Sequence, residues 1–451
     1  MTSTSTTSNT ILIKNGRVID PSQGIDRVTN VLIQDGKVAG LDVNEESAKQ
    51  AAADGNLTVV DASNKIVSPG LIDLHAELRE PGFEEDETIE SGTAAAIQGG
   101  YTSIGCVANT DPPIDTQASV EYVRQKAVRA NNCNVFVIAC VSKNRDGEQL
   151  AEIGTLVEAG AVAFSDASHP IQNSNLLRRA LEYCLMFDKV ILSNPEDVSL
   201  NCDGVMHEGL TSMVLGLAGM TSKGEDVMTS RDLRLAEATG GRLHLMNISS
   251  AGSVELIRRA RTLGLEVTAE VCPANFILTD VTLRTFDSNY KVNPPLRSQD
   301  HVDACIAGLI DGTLDVIASC HRPRATEKKM QELDLAPFGM SALETTLSLV
   351  VEHLVNPGHL TWTQVIEKMT INPARILGIQ KGSLKVGADA DVTIIDPQAE
   401  WTLEAAGMES RSANTPFIGH QMRGRAVQVI VGGEFKLGEP QTSSEGASCH
   451  S

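Results

Sequence analysis

Residues 70–82 read GLIDLHAELREPG, a short apolar strand that delivers His75, Glu77 and Arg79 two residues apart before a Pro-Gly turn. Alternate residues of a strand share a face, so these three side chains point the same way. A metal centre is one reason to put an imidazole, a carboxylate and a guanidinium on one face; chance is another.

Working outward, seven more apolar runs follow: TSIGCVAN (102–109), VFVIACVS (135–142), AVAFSD (161–166), KVILSN (189–194), LHLMNIS (243–249), EVTAEV (266–271) and DVIASC (315–320). Between them lie helical patterns such as ETIESGTAAAIQ (87–98), ASVEYVRQKAVRA (118–130) and AGSVELIRRARTLG (251–264). Eight strands each followed by a helix predict a (β/α)8 barrel over residues 69–384. A doubly wound sheet is the alternative, but no glycine-rich phosphate loop follows the first strand. The flanks differ from the middle. Residues 11–68 and 385–438 hold short β-rich runs punctuated by Asn-Gly and Asp-Gly, a hairpin signature. Together they predict a small β-sandwich made from both chain ends. Residues 1–10 and 439–451, rich in Ser and Thr or polar, are expected to be disordered.

Barrels of this kind carry their chemistry at the C-terminal ends of the strands. Those ends offer His75 and Glu77, Asn109, Ser142, Asp166, Asn194, Asn247, Asn275 and Cys320. The set is polar, yet it contains a single histidine. The other histidines, including His169, His207, His244, His301 and His321, show no ligand spacing of their own.

Bulk properties narrow the functions. The 451 residues are 41% apolar and carry 58 acidic against 37 basic side chains, a formal charge of -21. That balance argues against nucleic acid or an anionic membrane as partner, while leaving room for an anionic small substrate. No apolar run approaches the ~20 residues that span a bilayer, and no secretory signal is readable, so a cytoplasmic protein is expected. The nine cysteines include no CxxC pair and read as buried free thiols in a reducing compartment, Cys320 among them.

Several segments together (SPGLIDLHAELREPG, VANTDPPID, VTAEVCPANFILTD, YKVNPPLRS, DGTLDVIASCHRP and INPARILGI) resemble the bacterial dihydroorotases of the amidohydrolase superfamily, in order, from about residue 11 to 437. The resemblance implies the same barrel and sandwich. It also implies an activity, the interconversion of N-carbamoyl-L-aspartate and dihydroorotate in pyrimidine biosynthesis, with zinc bound by imidazoles and carboxylates at ~2.0–2.2 Å.

Position by position, the implied metal set is mostly replaced. His75 stands at the first ligand of the strand-1 pair and Glu77 at the second. Asp166 stands at the strand-4 acid, with Ala167 beside it. Asn194 and Asn247 replace the histidines of strands 5 and 6, and Cys320 replaces the strand-8 Asp that binds metal and shuttles a proton. A carboxamide oxygen is a poor zinc ligand, and asparagine is no base near neutral pH. His75, Glu77 and Asp166 therefore remain as residual metal candidates, and no catalytic residue is intact. Arg79, Asn109, Asn293, Phe338 and Gly339 stand at the family's substrate contacts, and Arg324 stands where a substrate-binding histidine is usual.

The expected function is thus a dihydroorotase-like pseudoenzyme without a cofactor. As the resemblance implies, it would be an oligomer serving as an assembly subunit for aspartate transcarbamoylase. Two rivals stand beside it. One is an active enzyme with a single remodelled zinc on His75, Glu77, Asp166 and Cys320. The other is a sensor of carbamoyl aspartate or dihydroorotate using Arg79, Asn109 and Asn293.

Overall fold

The computed structural model describes residues 10–52 and 57–438. Apart from Thr10, which opens the first strand, the two chain ends expected to be disordered lie outside the described residues.

The N-terminal segment supplies β1 (Thr10–Asp20), β2 (Ile25–Gln34), β3 (Lys37–Leu41), β4 (Leu57–Asp61) and β5 (Ile66–Pro69). Asp35-Gly36, with both residues at positive φ, turns β2 into β3, as the Asp-Gly signal predicts. The barrel follows with β6 (Leu71–Ala76), β7 (Tyr101–Cys106), β8 (Asn134–Ala139), β9 (Ala163–Phe164) and β10 (Val190–Ser193). An excursion carries the two-residue strands β11 (Met206–His207) and β12 (Gly219–Met220), which pair in parallel and which sequence pattern does not reveal. The barrel resumes with β13 (Leu243–Leu245), β14 (Val267–Val271) and β15 (Val316–Ile317), and the chain ends in β16 (Val392–Thr402), β17 (Gln421–Val431) and β18 (Glu434–Leu437).

All eight predicted barrel strands form, and they stand in chain order from β6 to β15. The seam between last and first strand is closed by side chain and backbone together. Ser319 donates its N–H and Oγ–H to Asp73 at 2.7 and 2.6 Å, and Glu77 N–H donates to the His321 carbonyl at 3.0 Å. Helix starts follow their capping signals: Thr88 accepts from Ser91 N–H and opens the helix Ile89–Gln98.

The chain ends meet in one sheet, ordered β18-β17-β16-β5-β1-β2-β3 with β4 beside β1. Antiparallel pairing of β5 with β16, Val67 opposite Ile394, stitches the C-terminal half to the N-terminal half. Its core holds Ile11, Val31, Val67, Ile394 and Ile430. Gly70 then passes directly from this sheet into the barrel. A Cβ there would sit 2.0 Å from Thr102 Oγ1, so the first barrel strand can begin this close to its neighbour only with glycine.

Candidate functional site

The C-terminal mouth of the barrel opens into a narrow pocket walled in part by His75, Glu77, Asn247, Cys272, Cys320 and Arg322. The ends of four neighbouring strands, β13, β14, β15 and, across the seam, β6, deliver these residues.

At the floor stands a buried acid that reading the sequence misses. Glu270, on β14, is wholly buried and sits between two imidazoles: His75 Nδ1 is 2.9 Å from Oε1 and His244 Nε2 is 3.2 Å from Oε2. Burial opposes ionisation of Glu270, but His75 and His244 outweigh it and hold the carboxyl at about 2. Burial likewise pulls the His75 pKa down, and the Glu270 charge more than restores it, raising it above the usual value. The approaches are close but poorly directed. His75 Nδ1, His244 Nε2 and Glu270 Oε2 are left buried without an aligned hydrogen-bond partner.

Glu77 belongs to a different group. Its Oε1 lies 2.6 Å from Arg322 Nε and its Oε2 3.3 Å from Arg79. Burial pushes the Glu77 carboxyl up, and Arg322, Arg79 and Arg324 overcome it, bringing the pKa down to about 2. Arg79 does not continue the strand alternation assumed from sequence. Its φ of 61° turns it out of the extended conformation, under the ring of Phe83 at 4.4 Å and onto Asp86 at 3.1 Å. Arg324 and Lys328 converge on the same Asp86, at 3.3 and 2.8 Å.

Asp166 turns away from the mouth. It accepts from Val141 N–H at 2.8 Å, Ser142 N–H at 3.1 Å and the Ser142 hydroxyl at 2.5 Å, so it ties the end of β9 to the loop after β8. Asn247 Nδ2 reaches Asn194 Oδ1 at 3.5 Å, while its Oδ1 lies 3.0 Å from Cys320 Sγ and 3.3 Å from Cys272 Sγ. The two sulfurs are joined as a disulfide, with Cα atoms 5.9 Å apart. This corrects the expectation that Cys320 is a free thiol: β14 and β15 are neighbours, so residues just beyond their ends fall within bridging reach. The other six described cysteines are free, five of them buried and Cys202 exposed. Asn247 and Cys320 both hold positive φ, 53° and 55°, a strained conformation that clusters at functional sites.

The remaining substrate-contact positions are divided. Asn293 and Gly339 line the cavity. Asn293 also donates to Glu196 at 3.0 Å, and the Gly339 carbonyl accepts from Lys329 Nζ at 3.1 Å. Phe338 faces Lys291, whose Nζ stands 4.9 Å over the ring, and its carbonyl accepts from Arg324 Nε. Asn109 is buried beside Glu77, its carbonyl taking a bond from Arg79.

Comparison with known proteins follows the same lines. A model of dihydro-orotase-like proteins matches residues 64–253, and one of the amidohydrolase family matches 337–435. The dihydroorotase of Pelotomaculum thermopropionicum is 49% identical over 429 residues, covering 95% of this chain and 98% of that protein. The chain belongs to the dihydroorotase family. The dihydroorotase of Citrifermentans bemidjiense is 47% identical over 424 residues, with 94% and 98% covered. Among solved structures, an L-hydantoinase (dihydropyrimidinase) from Arthrobacter aurescens superposes with a TM-score of 0.82 at 24% identity, over 96% of this chain and 97% of that one, a likeness of fold. Among the described residues no helix is long and apolar enough to cross a membrane.

The zinc that this family membership implies can be tested against the donors present. Glu77 is already neutralised by guanidinium groups, Asp166 is saturated by three donors, Asn194 and Asn247 offer carboxamides, and Cys320 is in a disulfide. These residues do not fit a dihydroorotase two-metal centre, whose charge has to come from free carboxylates and imidazoles.

Glu270, His244, Cys272 and Arg322 are the site residues the sequence reading passes over. A signal for two of them was present: Glu270 in EVTAEV and His244 in RLHLM are the ionisable groups inside their barrel strands β14 and β13. A buried charge of that kind needs a partner. Adjacent strands supply it, with His244 in register with Thr268 two residues from Glu270.

Proposed function

We propose that this dihydroorotase-family chain does not interconvert carbamoyl aspartate and dihydroorotate, and acts as a structural subunit that assembles with aspartate transcarbamoylase. The observation that supports the first half is Glu77 clamped between Arg322 and Arg79 where the family needs a second metal-binding imidazole. A guanidinium 2.6 Å from that position opposes a divalent cation there by direct charge repulsion. The partner rests on the resemblance to family members that lost their metal sites, and on a fold retained over the whole described chain.

The test is direct. With zinc supplied and reductant present, neither cyclisation nor ring opening is expected above the uncatalysed rate, and co-elution in a fixed ratio with aspartate transcarbamoylase of the same organism is expected. Turnover abolished by His75→Ala overturns the first half, and failure of the two proteins to associate overturns the second.

A second reading has one specific support. Asn275 Nδ2 is buried in the cavity wall without a hydrogen-bond partner, a donor suited to a carbonyl or carboxylate of a ureido acid. Micromolar carbamoyl-aspartate binding without association with the transcarbamoylase would favour that sensor role.

A further inference from the structure

The excursion that leaves the barrel after β10 carries a helix built inside out. Leu210–Leu215 follows β11, and its apolar side chains at i, i+3 and i+4, Leu210, Met213 and Val214, are 72, 78 and 67% exposed. Its small polar residues, Thr211 and Ser212, are the buried ones. A helix on a globular surface ordinarily turns the other way. The geometry is held firmly. Ser212 Oγ accepts from Gly209 N–H at 3.0 Å and donates to the Gly209 carbonyl at 2.9 Å, fixing the first turn. Beside it β11 and β12 pair, and the buried Arg297 donates to the Met220 carbonyl at 3.0 Å, tying that pair to the body of the protein.

The helix belongs to a wider face. A small core of Val205, Met206, Leu283 and Leu333 lies next to it, with Leu215 packed against that core. Around Leu283 and Leu333, on the same two segments, Val281, Phe286, Met330 and Leu335 are 48, 54, 79 and 67% exposed. At these exposures the seven apolar side chains present on the order of 800 Å², more than the ~300–600 Å² of the largest apolar patch on an ordinary monomer. That area also matches the ~800 Å² each partner brings to a standard protein interface.

We propose that this face pairs two copies of the chain about a twofold axis. Charge carries the choice of partner. Residues 209–222, GLTSMVLGLAGMTS, hold no ionisable side chain in a chain of formal charge -21. A second copy is repelled over most of so acidic a surface and approaches where both faces are uncharged. A cationic partner is drawn instead to the acids elsewhere. At the rim the two signs sit on different segments: Arg284 lies between Val281 and Phe286, Glu332 and Asp334 between Met330 and Leu335, and all three are exposed. A twofold axis can set the guanidinium of one copy against the carboxylates of the other, so the face is its own complement. The pairing goes beyond the assembly role proposed above and holds whether or not the barrel turns over substrate.

Sedimentation equilibrium of the full chain tests it. A mass of two chains is expected at micromolar concentration. Leu210→Glu/Met213→Glu is expected to weaken pairing about a hundredfold, with an unchanged far-ultraviolet circular dichroism spectrum. Leu263→Glu, at an 80% exposed apolar residue just past the helix Ala251–Thr262, is expected to leave the dimer intact. Arg284→Glu is expected to weaken pairing about tenfold, and Glu332→Arg/Asp334→Arg added to it to restore pairing. As a readout that needs no variant, amide exchange over residues 209–217 of the parent is expected to be slower in the dimer than after dilution to monomer. A monomeric parent overturns the proposal, as does a dimer unmoved by Leu210→Glu/Met213→Glu or unprotected over residues 209–217. Pairing that the rim charges do not restore overturns the twofold geometry. A monomeric parent whose binding to aspartate transcarbamoylase the double variant abolishes assigns the face to that protein and overturns the second copy as occupant. A double variant that loses its dimer and keeps the transcarbamoylase supports the pairing and leaves the assembly role standing, so the two readings fail separately.

Discussion

Glu77 Oε1 and Arg322 Nε meet at 2.6 Å inside the barrel mouth, the carboxylate coming from the chain beyond β6 and the guanidinium from the chain beyond β15. A pair of this kind costs desolvation to form and more to break, because removing one charge strands the other. Glu77→Ala leaves Arg322 without its carboxylate partner inside the barrel mouth, while Arg79 keeps Asp86. A loss of about 3–5 kcal/mol in urea unfolding is expected. Glu77→His supplies an imidazole and leaves the guanidinium groups in place, so no dihydroorotase turnover is expected from it in a zinc-supplemented assay.

The seam between first and last barrel strand depends on one carboxylate. Asp73 takes both the N–H and the hydroxyl of Ser319. Asp73→Ala leaves two buried donors unpaired, at about 1–3 kcal/mol each. Faster amide exchange in β15 than in β8 is the accompanying signature, since only the seam is released.

Glu344 gives the protein a pH dependence with a definite sign. Burial raises its carboxyl to about 7 from the usual 4.5, against backbone N–H groups of Ser410 and Glu409 that favour its charged form. The folded state therefore holds a proton that the unfolded chain has already lost between these two values. Its contribution is fully present below pH 4.5 and disappears as pH rises through 7. About 3 kcal/mol is at stake, by linkage. Glu344→Gln is expected to flatten the stability profile over that window in denaturant titrations at successive pH values.

The Cys272–Cys320 bridge closes a loop with a sequence separation of 48. Chain entropy assigns such a loop about 4 kcal/mol. With metal chelated, reductant is expected to lower the unfolding midpoint of the parent chain and to leave that of Cys272→Ser unchanged. A parent midpoint insensitive to reductant would show that the bridge does not constrain the unfolded chain.

The barrel was legible because its signals are local. Apolar runs such as KVILSN and LHLMNIS, separated by amphipathic stretches, admit few arrangements, and every one became a strand in chain order. The site was legible only at its first layer. His75 and Glu77 sit where strand alternation puts them, but Arg79 leaves the pattern at a positive φ that no periodicity records. Asp166, a metal candidate from the sequence, is bonded to Ser142 instead.

By itself the sequence determined the barrel and the pairing of the two chain ends, since each follows from spacing and chemical identity along the chain. Only the tertiary structure decided partners: that Glu77 answers to Arg322, that Glu270 stands between His75 and His244, and that Cys272 reaches Cys320. Glu77–Arg322 and His75–Glu270 join strands far apart in the chain, brought together by barrel closure, while the other two contacts join neighbouring strands. Electrostatic pairing falls off over a few ångströms and carries no trace in sequence distance.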